Sequence, residues 1–228
     1  MCGRYVLLTD LSVIVESFDI GKVACEYRPG MNISPGQQIA AVLRRDGQNS
    51  LVHFQWGLIP PSATDPSIGN RLFNARAETV SEKPSFRNAF AKRRCLIPAD
   101  GFYEWKKLGK GKQPFKFSLK SGKPFGFAGL YESWVSPAGK PIDTCTILTT
   151  EPNDLLRPVH DRMPVMLPKD REAHWIDPEN RDPRRLLSLL KPYPSDEMAI
   201  SEVDPKTLRQ PDVREAALFD TASLWEKA

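Results

Sequence analysis

The stretch from Cys95 to Thr150 constrains the fold of this chain more than any other. Five runs of strand character follow one another: Cys95 to Ile97, Gly101 to Lys106, Phe115 to Leu119, Phe125 to Trp134 and Thr144 to Thr150. Their side chains alternate as a pleated strand requires. Gly- or Pro-containing turns separate most of them, namely Leu108 to Lys112, Ser121-Gly122 and Pro137-Ala138-Gly139. A segment of this kind reads as an antiparallel meander. The 21 prolines spread along the chain also favour a mixed, turn-rich fold over a helical bundle, because each removes a backbone donor.

The flanks supply further elements. Val6 to Leu8 is a short strand, and Thr9-Asp10 starts a helix with Leu11, Ile14, Val15 and Phe18 on one face. Pro29 to Pro35 is a turn-rich connection. Ile39 to Arg45 and Ser50 to Gly57, joined through Asp46-Gly47, predict a β-hairpin that stops at Pro60-Pro61. Ser62 to Gly69 is a polar surface loop. Asn74 to Glu78 leads into a helical stretch, and Ser85 to Arg93 is a second short helix. Further on come a helical turn at Asn153 to Arg157, a returning strand at Met163 to Leu167, helices at Arg171 to Trp175 and Arg184 to Leu190, and a last strand at Met198 to Val203. The end after about residue 211 is expected to be loosely held. The whole predicts an α+β fold. One domain spans 1–228, with a curved, barrel-like, mostly antiparallel sheet flanked by short helices.

Composition excludes several function classes. With 40% hydrophobic and 26% charged residues, the chain can bury a full core, and no apolar run reaches membrane-spanning length. Arg4, Asp10, Glu16 and Asp19 rule out a secretory signal in the first twenty residues. Cys2, Cys25, Cys95 and Cys145 are scattered without a CxxC pair. They fit a reducing cytoplasm better than a disulfide framework or zinc site, and Cys95 and Cys145 read as core residues. The three histidines, His53, His160 and His174, are too few for a His-rich metal site, and no metal or cofactor is expected. The net charge of +4 is compatible with a polyanion partner.

The start of the chain, Met1-Cys2-Gly3-Arg4-Tyr5, carries distinctive chemistry. If Met1 is removed, Cys2 holds a free α-amine and a thiol on one residue. A terminal amine has a pKa of about 7.7–8.0, so roughly a quarter to a third is neutral near pH 7.5. The neutral amine attacks aldehydes to give an imine, and the thiol can then close a five-membered thiazolidine. Three other residues could serve that chemistry. Asn74 is either a helix N-cap or an amide that orients the Cys2 amine. Glu104, between Tyr103 and Trp105, lies on the solvent face of its strand or faces an apolar pocket. In the second case its pKa rises and it can act as acid or base near neutrality. His160 sits in a segment of little periodicity, where loops place functional groups. Around these, Arg4, Trp56, Phe73, Arg76, Trp105 to Lys107, Lys110, Lys112 and Arg162 interleave cations with rings. A groove for single-stranded nucleic acid requires such a mixture, although Lys107, Lys110 and Lys112 also read as solvated loop residues.

Six motifs, Met1 to Tyr5, Trp56 to Pro60, Asn74 to Glu78, Gly101 to Trp105, Thr149-Thr150 with Asn153, and His160 to Pro164, together resemble the SOS response-associated peptidase (SRAP) family, in family order. Glu151-Pro152 departs from the small residue often found before that Asn. The resemblance implies a protein that recognises abasic sites in single-stranded DNA and traps them covalently. The Cys2 amine forms a Schiff base with the ring-opened sugar, and the thiol closes the thiazolidine. It implies catalytic roles for Cys2, Asn74 (holding the terminus), Glu104 (general base, able to promote β-elimination) and His160 (proton shuttle). Arg4, Arg76 and Arg162 would bind phosphates, with Trp56, Phe73, Trp105 and Thr149 along the strand. It further implies lyase activity, removal of its own Met1, and action as a monomer in the cytoplasm, associated with the nucleoid during DNA damage. Two other readings remain open. One is an N-terminal-nucleophile amidohydrolase, which also begins Met-Cys-Gly but usually continues with small apolar residues. The other is a non-catalytic reader of single-stranded or modified DNA.

Overall fold

A computed structural model describes residues 2–109 and 111–209. The expectation of a loose end after 211 lies outside the described residues, as do Met1 and Lys110. In chain order the first elements are β1 (Tyr5–Leu7), α1 (Leu11–Ser17), β2 (Ile20–Val23), β3 (Gly30–Ile33), β4 (Gln38–Arg45), β5 (Gln48–Trp56), β6 (Asn74–Arg76) and α2 (Arg87–Lys92). The central strands are β7 (Arg94–Ala99), β8 (Gly101–Leu108), β9 (Gly111–Leu119), β10 (Phe125–Val135) and β11 (Pro141–Thr150). The chain closes with β12 (Met163–Pro164), β13 (Met166–Leu167), α3 (Lys169–Ile176), α4 (Pro183–Ser188) and β14 (Met198–Glu202).

The β4–β5 hairpin forms where Asp46-Gly47 predicts it. Asp46 at φ 52° and Gly47 at φ 78° are both in the left-handed region, as a tight two-residue turn matched to strand twist requires. The hairpin is one wall of a closed five-strand barrel in the order β7-β4-β5-β11-β10, with β10 pairing back to β7. Closure depends on one parallel contact, in which β5 meets β11 at Gln55↔Thr144 and Trp56↔Cys145. The other barrel pairings are antiparallel. Closing the sheet removes its exposed edges.

The predicted meander is interrupted. After β7 the chain leaves the barrel, and β8 and β9 join a second, antiparallel sheet in the order β14-β9-β8-β1-β3. β10 then returns to β7. An aromatic cluster joins the two layers. Tyr5 meets Trp56 at 5.5 Å and Phe127 at 6.0 Å, and Phe102 meets Phe117 at 5.2 Å and Phe127 at 6.1 Å. Such contacts add about 0.5–1.5 kcal/mol each beyond area burial. Asp100 fixes the start of the chain to this junction by accepting from the Leu8 and Thr9 backbone N–H groups and from the Thr9 hydroxyl.

Two local expectations are corrected. Asn74 to Arg76 is extended, pairing in parallel with Ile147 to Thr149 of β11, so Asn74 caps no helix. Backbone bonding to an existing barrel strand outweighs the modest helix preference of Ala and Glu. The connection from Pro29 to Pro35 contains β3, whose bonds to β1 override the turn signal of its prolines.

Candidate functional site

Cys2 lies immediately before β1. The Tyr103 N–H donates to the Arg4 carbonyl at 2.9 Å, which lays the N-terminal segment along β8. Cys2 is completely buried, and its thiol donates weakly to the Arg4 carbonyl at 3.8 Å. Burial pushes the thiol well above its usual range, and the neighbouring Glu104 carboxylate pushes the same way. The thiol is therefore protonated at neutral pH and needs a base to become a nucleophile.

Glu104 is 3% exposed. Both faces of β8 are covered at this point, since Tyr103 is also buried and its hydroxyl donates to the Met31 carbonyl at 3.1 Å. Of the two placements open to Glu104, the solvent face is excluded by this burial. Burial raises Glu104 to about 7, and the Asp161 carboxylate reinforces the rise. A carboxyl in that range can both take and return a proton at physiological pH.

His160 Nε2 stands 3.9 Å from Glu104 Oε2, which is beyond direct hydrogen bonding. Its Nδ1 accepts from the Arg162 N–H at 3.0 Å and lies 3.1 Å from Asp161 Oδ1. Burial lowers its pKa below the ordinary histidine value, favouring the neutral ring. Asn153 shapes the loop that delivers it. Its side chain accepts from the Leu156 N–H at 3.0 Å and donates to the Tyr193 carbonyl at 2.7 Å, and the His160 N–H donates to the Leu156 carbonyl at 3.0 Å. A depression of about 380 Å³, lined by Glu151, Arg157, Pro158, His160 and Asp161 among others, opens beside the imidazole.

Asn74 is half-buried on β6. Its amide nitrogen donates to the Phe73 carbonyl at 3.0 Å, while its Oδ1 is buried with no hydrogen-bond partner among the described residues. A buried acceptor left unsatisfied costs about 1–3 kcal/mol, so this oxygen is suited to a donor that arrives with chemistry. Glu104 thus lies 3.9 Å from His160 and acts electrostatically on Cys2, while Asn74 holds a buried acceptor with no partner among the described residues.

The residues expected along DNA divide by burial. Trp56 is wholly buried; its indole N–H donates to the Phe73 carbonyl at 2.8 Å and its ring meets Tyr5 and Phe73. Its ring has no exposed face for a base to stack on. Thr149 is also wholly buried. Neither offers an exposed surface in this structure. Phe73 and Trp105 are half-buried and Arg76 is exposed. Arg4 donates to Asn32 Oδ1 at 3.1 Å. Arg162 is more committed, with its guanidinium gripping Glu78 bidentately at 2.7 and 2.9 Å and reaching the Thr149 carbonyl at 2.6 Å.

Sequence reasoning assigned no role to Glu78, Asp161 or Asn153. Asn153 opening a turn was the one readable signal, because its side chain caps the next N–H groups. No group of three or more His, Cys, Asp or Glu side chains among the described residues could hold a metal.

A closed mixed barrel with a buried cysteine near the start of the chain and a buried carboxyl 3.9 Å from a histidine defines the class. The chain belongs to the SOS response associated peptidase (SRAP) family, whose family model matches residues 1–209. Among relatives, "Abasic site processing protein YoqW" of Bacillus subtilis is 49% identical over 206 residues, covering 89% of this chain and 92% of that protein. "Abasic site processing protein YoaM" of the same organism is 46% identical, covering 96% and 98%. The chicken "Abasic site processing protein HMCES" is 30% identical, covering 73% of this chain and 59% of that protein. A solved structure from Bacteroides thetaiotaomicron superposes with a TM-score of 0.85 at 26% identity, covering 92% of this chain and 95% of that one.

Proposed function

We propose that this chain processes abasic sites in single-stranded DNA by trapping them covalently through Cys2 once Met1 is removed. The observation that carries the reading is Glu104: a buried carboxyl raised to about 7, acting electrostatically on Cys2 and 3.9 Å from His160. The neutral His160 imidazole takes the proton of the C1′ hydroxyl and returns it to the sugar ring oxygen as the ring opens to the aldehyde. The Cys2 amine, losing a proton to Glu104, attacks the C1′ aldehyde. Glu104 returns that proton to the departing hydroxyl, and water leaves as the Schiff base forms. The Cys2 thiol then adds to the imine carbon, its proton passing to the nitrogen, and the thiazolidine closes with no cofactor. The Asn74 oxygen accepts from the amine and aims it. Placing amine and thiol on one positioned residue supplies an effective-molarity gain. Because Cys2 is fully covered, capture includes a local opening at the start of the chain.

From the same Schiff base, loss of the C2′ proton to Glu104 or His160 would expel the 3′ phosphate, giving lyase activity that ring closure suppresses. The site would also release its own Met1. The protein would act as a monomer in the cytoplasm, at the nucleoid during DNA damage. Among the described residues no helix is long and apolar enough to cross a membrane.

The test is incubation with a single-stranded oligonucleotide carrying one abasic site, followed by denaturing electrophoresis and intact-mass measurement. Wild-type protein lacking Met1 is expected to give a heat-stable band at the summed mass less one water. Cys2→Ser is expected to give only a product that requires borohydride to survive heating. Absence of the wild-type band sinks the proposal, and an equally durable Cys2→Ser product sinks the thiazolidine step.

A further inference from the structure

Glu78 sits where a strand phosphate would be expected. It lies two residues beyond Arg76 and pairs with Arg162. Its two carboxylate oxygens take the paired Nη1 and Nη2 donors of Arg162 at 2.7 and 2.9 Å. This fork-to-fork geometry is the one by which a guanidinium recognises a phosphate. Arg76 also acts on the carboxylate, so two of the three arginines assigned to phosphates hold it below the usual glutamate range.

The surroundings distinguish Arg162 from an ordinary surface ion pair. Its side chain is only 16% exposed and Glu78 is half-exposed. Its Nε–H is buried with no acceptor among the described residues. Arg162 Nη2 is anchored independently of Glu78 by the Thr149 carbonyl at 2.6 Å, and its backbone N–H holds His160 Nδ1. The arginine thus stays in place if Glu78 leaves, and an anion that replaces Glu78 arrives at a residue two positions along the chain from His160.

We propose that Glu78 is a resident phosphate mimic that occupies the Arg162–Arg76 anion site and must be displaced by a DNA phosphate. This rests on the DNA-trapping reading above. Glu78 therefore sets the affinity threshold for the strand. A weakly held or isolated anion does not displace a bidentate carboxylate already in place, whereas a strand engaged at several phosphates does.

The proposal is tested by salt-dependent binding. Wild type, Glu78→Gln and Glu78→Ala are titrated with a fluorescent single-stranded oligonucleotide lacking abasic sites, at several salt concentrations. In the wild type, the cation released from the phosphate is offset by one taken up by the freed Glu78. Both variants are expected to bind about tenfold more tightly at low salt, with the log–log salt slope steeper by roughly 0.7, the value of one additional single-strand phosphate contact. Arg162→Gln combined with Glu78→Gln is expected to lose that gain. Unchanged or weaker binding by both single variants, or an unchanged slope, overturns the proposal and makes Glu78 a structural strut. If the wild type neither binds the oligonucleotide nor forms the abasic crosslink, the DNA reading itself fails. The two failures are therefore distinguishable.

Discussion

Replacing Glu104 with Gln separates the chemical use of this residue from its effect on the fold. Burial raises its carboxyl from an ordinary 4.5 to about 7, so the folded state disfavours the ionised form. Below pH 4.5 the group is protonated whether the chain is folded or not, and there is no penalty. Between 4.5 and about 7 the unfolded chain ionises first, so stability falls as pH rises. Above about 7 the loss is complete, and at 1.36 kcal/mol per tenfold it amounts to about 3 kcal/mol. Gln matches the shape and cannot ionise. In urea titrations, Glu104→Gln is expected to lie within about 1 kcal/mol of wild type at pH 5 and to be about 3 kcal/mol more stable at pH 8. The same variant is expected to lose the abasic crosslink. A difference between variant and wild type that does not change from pH 5 to pH 8 would refute the desolvated carboxyl and the acid–base role built on it.

Two further substitutions probe the frame that holds the site. Arg94 is buried and donates five hydrogen bonds, to the carbonyls of Phe90, Ala91, Trp175, Asp177 and Asn180. Arg94→Met would strand those carbonyls at a cost of about 3 kcal/mol or more, a melting-temperature fall of roughly 6–12 °C by calorimetry; a fall under about 2 °C would show that the loop repacks. Asn153→Ala removes both side-chain bonds that shape the His160 loop. It is expected to cost about 1–3 kcal/mol of stability and to slow single-turnover crosslinking about tenfold at saturating DNA. An unchanged rate would show that the loop holds its shape without the cap.

The strands of the central region were readable because alternation and Gly or Pro turns are local signals. The Asp46-Gly47 hairpin was readable for the same reason. Which strands meet was not, since β8 carries the same alternation whether it continues a meander or crosses to β1. Asn74 illustrates the limit. Its neighbours favour a helix slightly, but the β11 edge offers Ile147 to Thr149 as backbone partners, and those bonds decide. Trp56 beside Gly57 read as a ring available to DNA. Its burial follows from Tyr5 and Phe73, which are brought to it only by the tertiary fold.

The aminothiol of Cys2 after loss of Met1 is a covalent property of the sequence alone, as are the identities of the carboxyl, imidazole and amide that could serve it. Their working states belong to the fold. Glu104 titrates near 7 because the second sheet and the barrel exclude water from it. His160 faces it because Asn153 bends a loop some fifty residues away, a position secured by Tyr193. Arg162 is clamped by Glu78, 84 positions distant in the chain. Desolvation and ion pairing depend on the neighbours a residue acquires in three dimensions, and barrel closure through the parallel β5–β11 contact determines those neighbours.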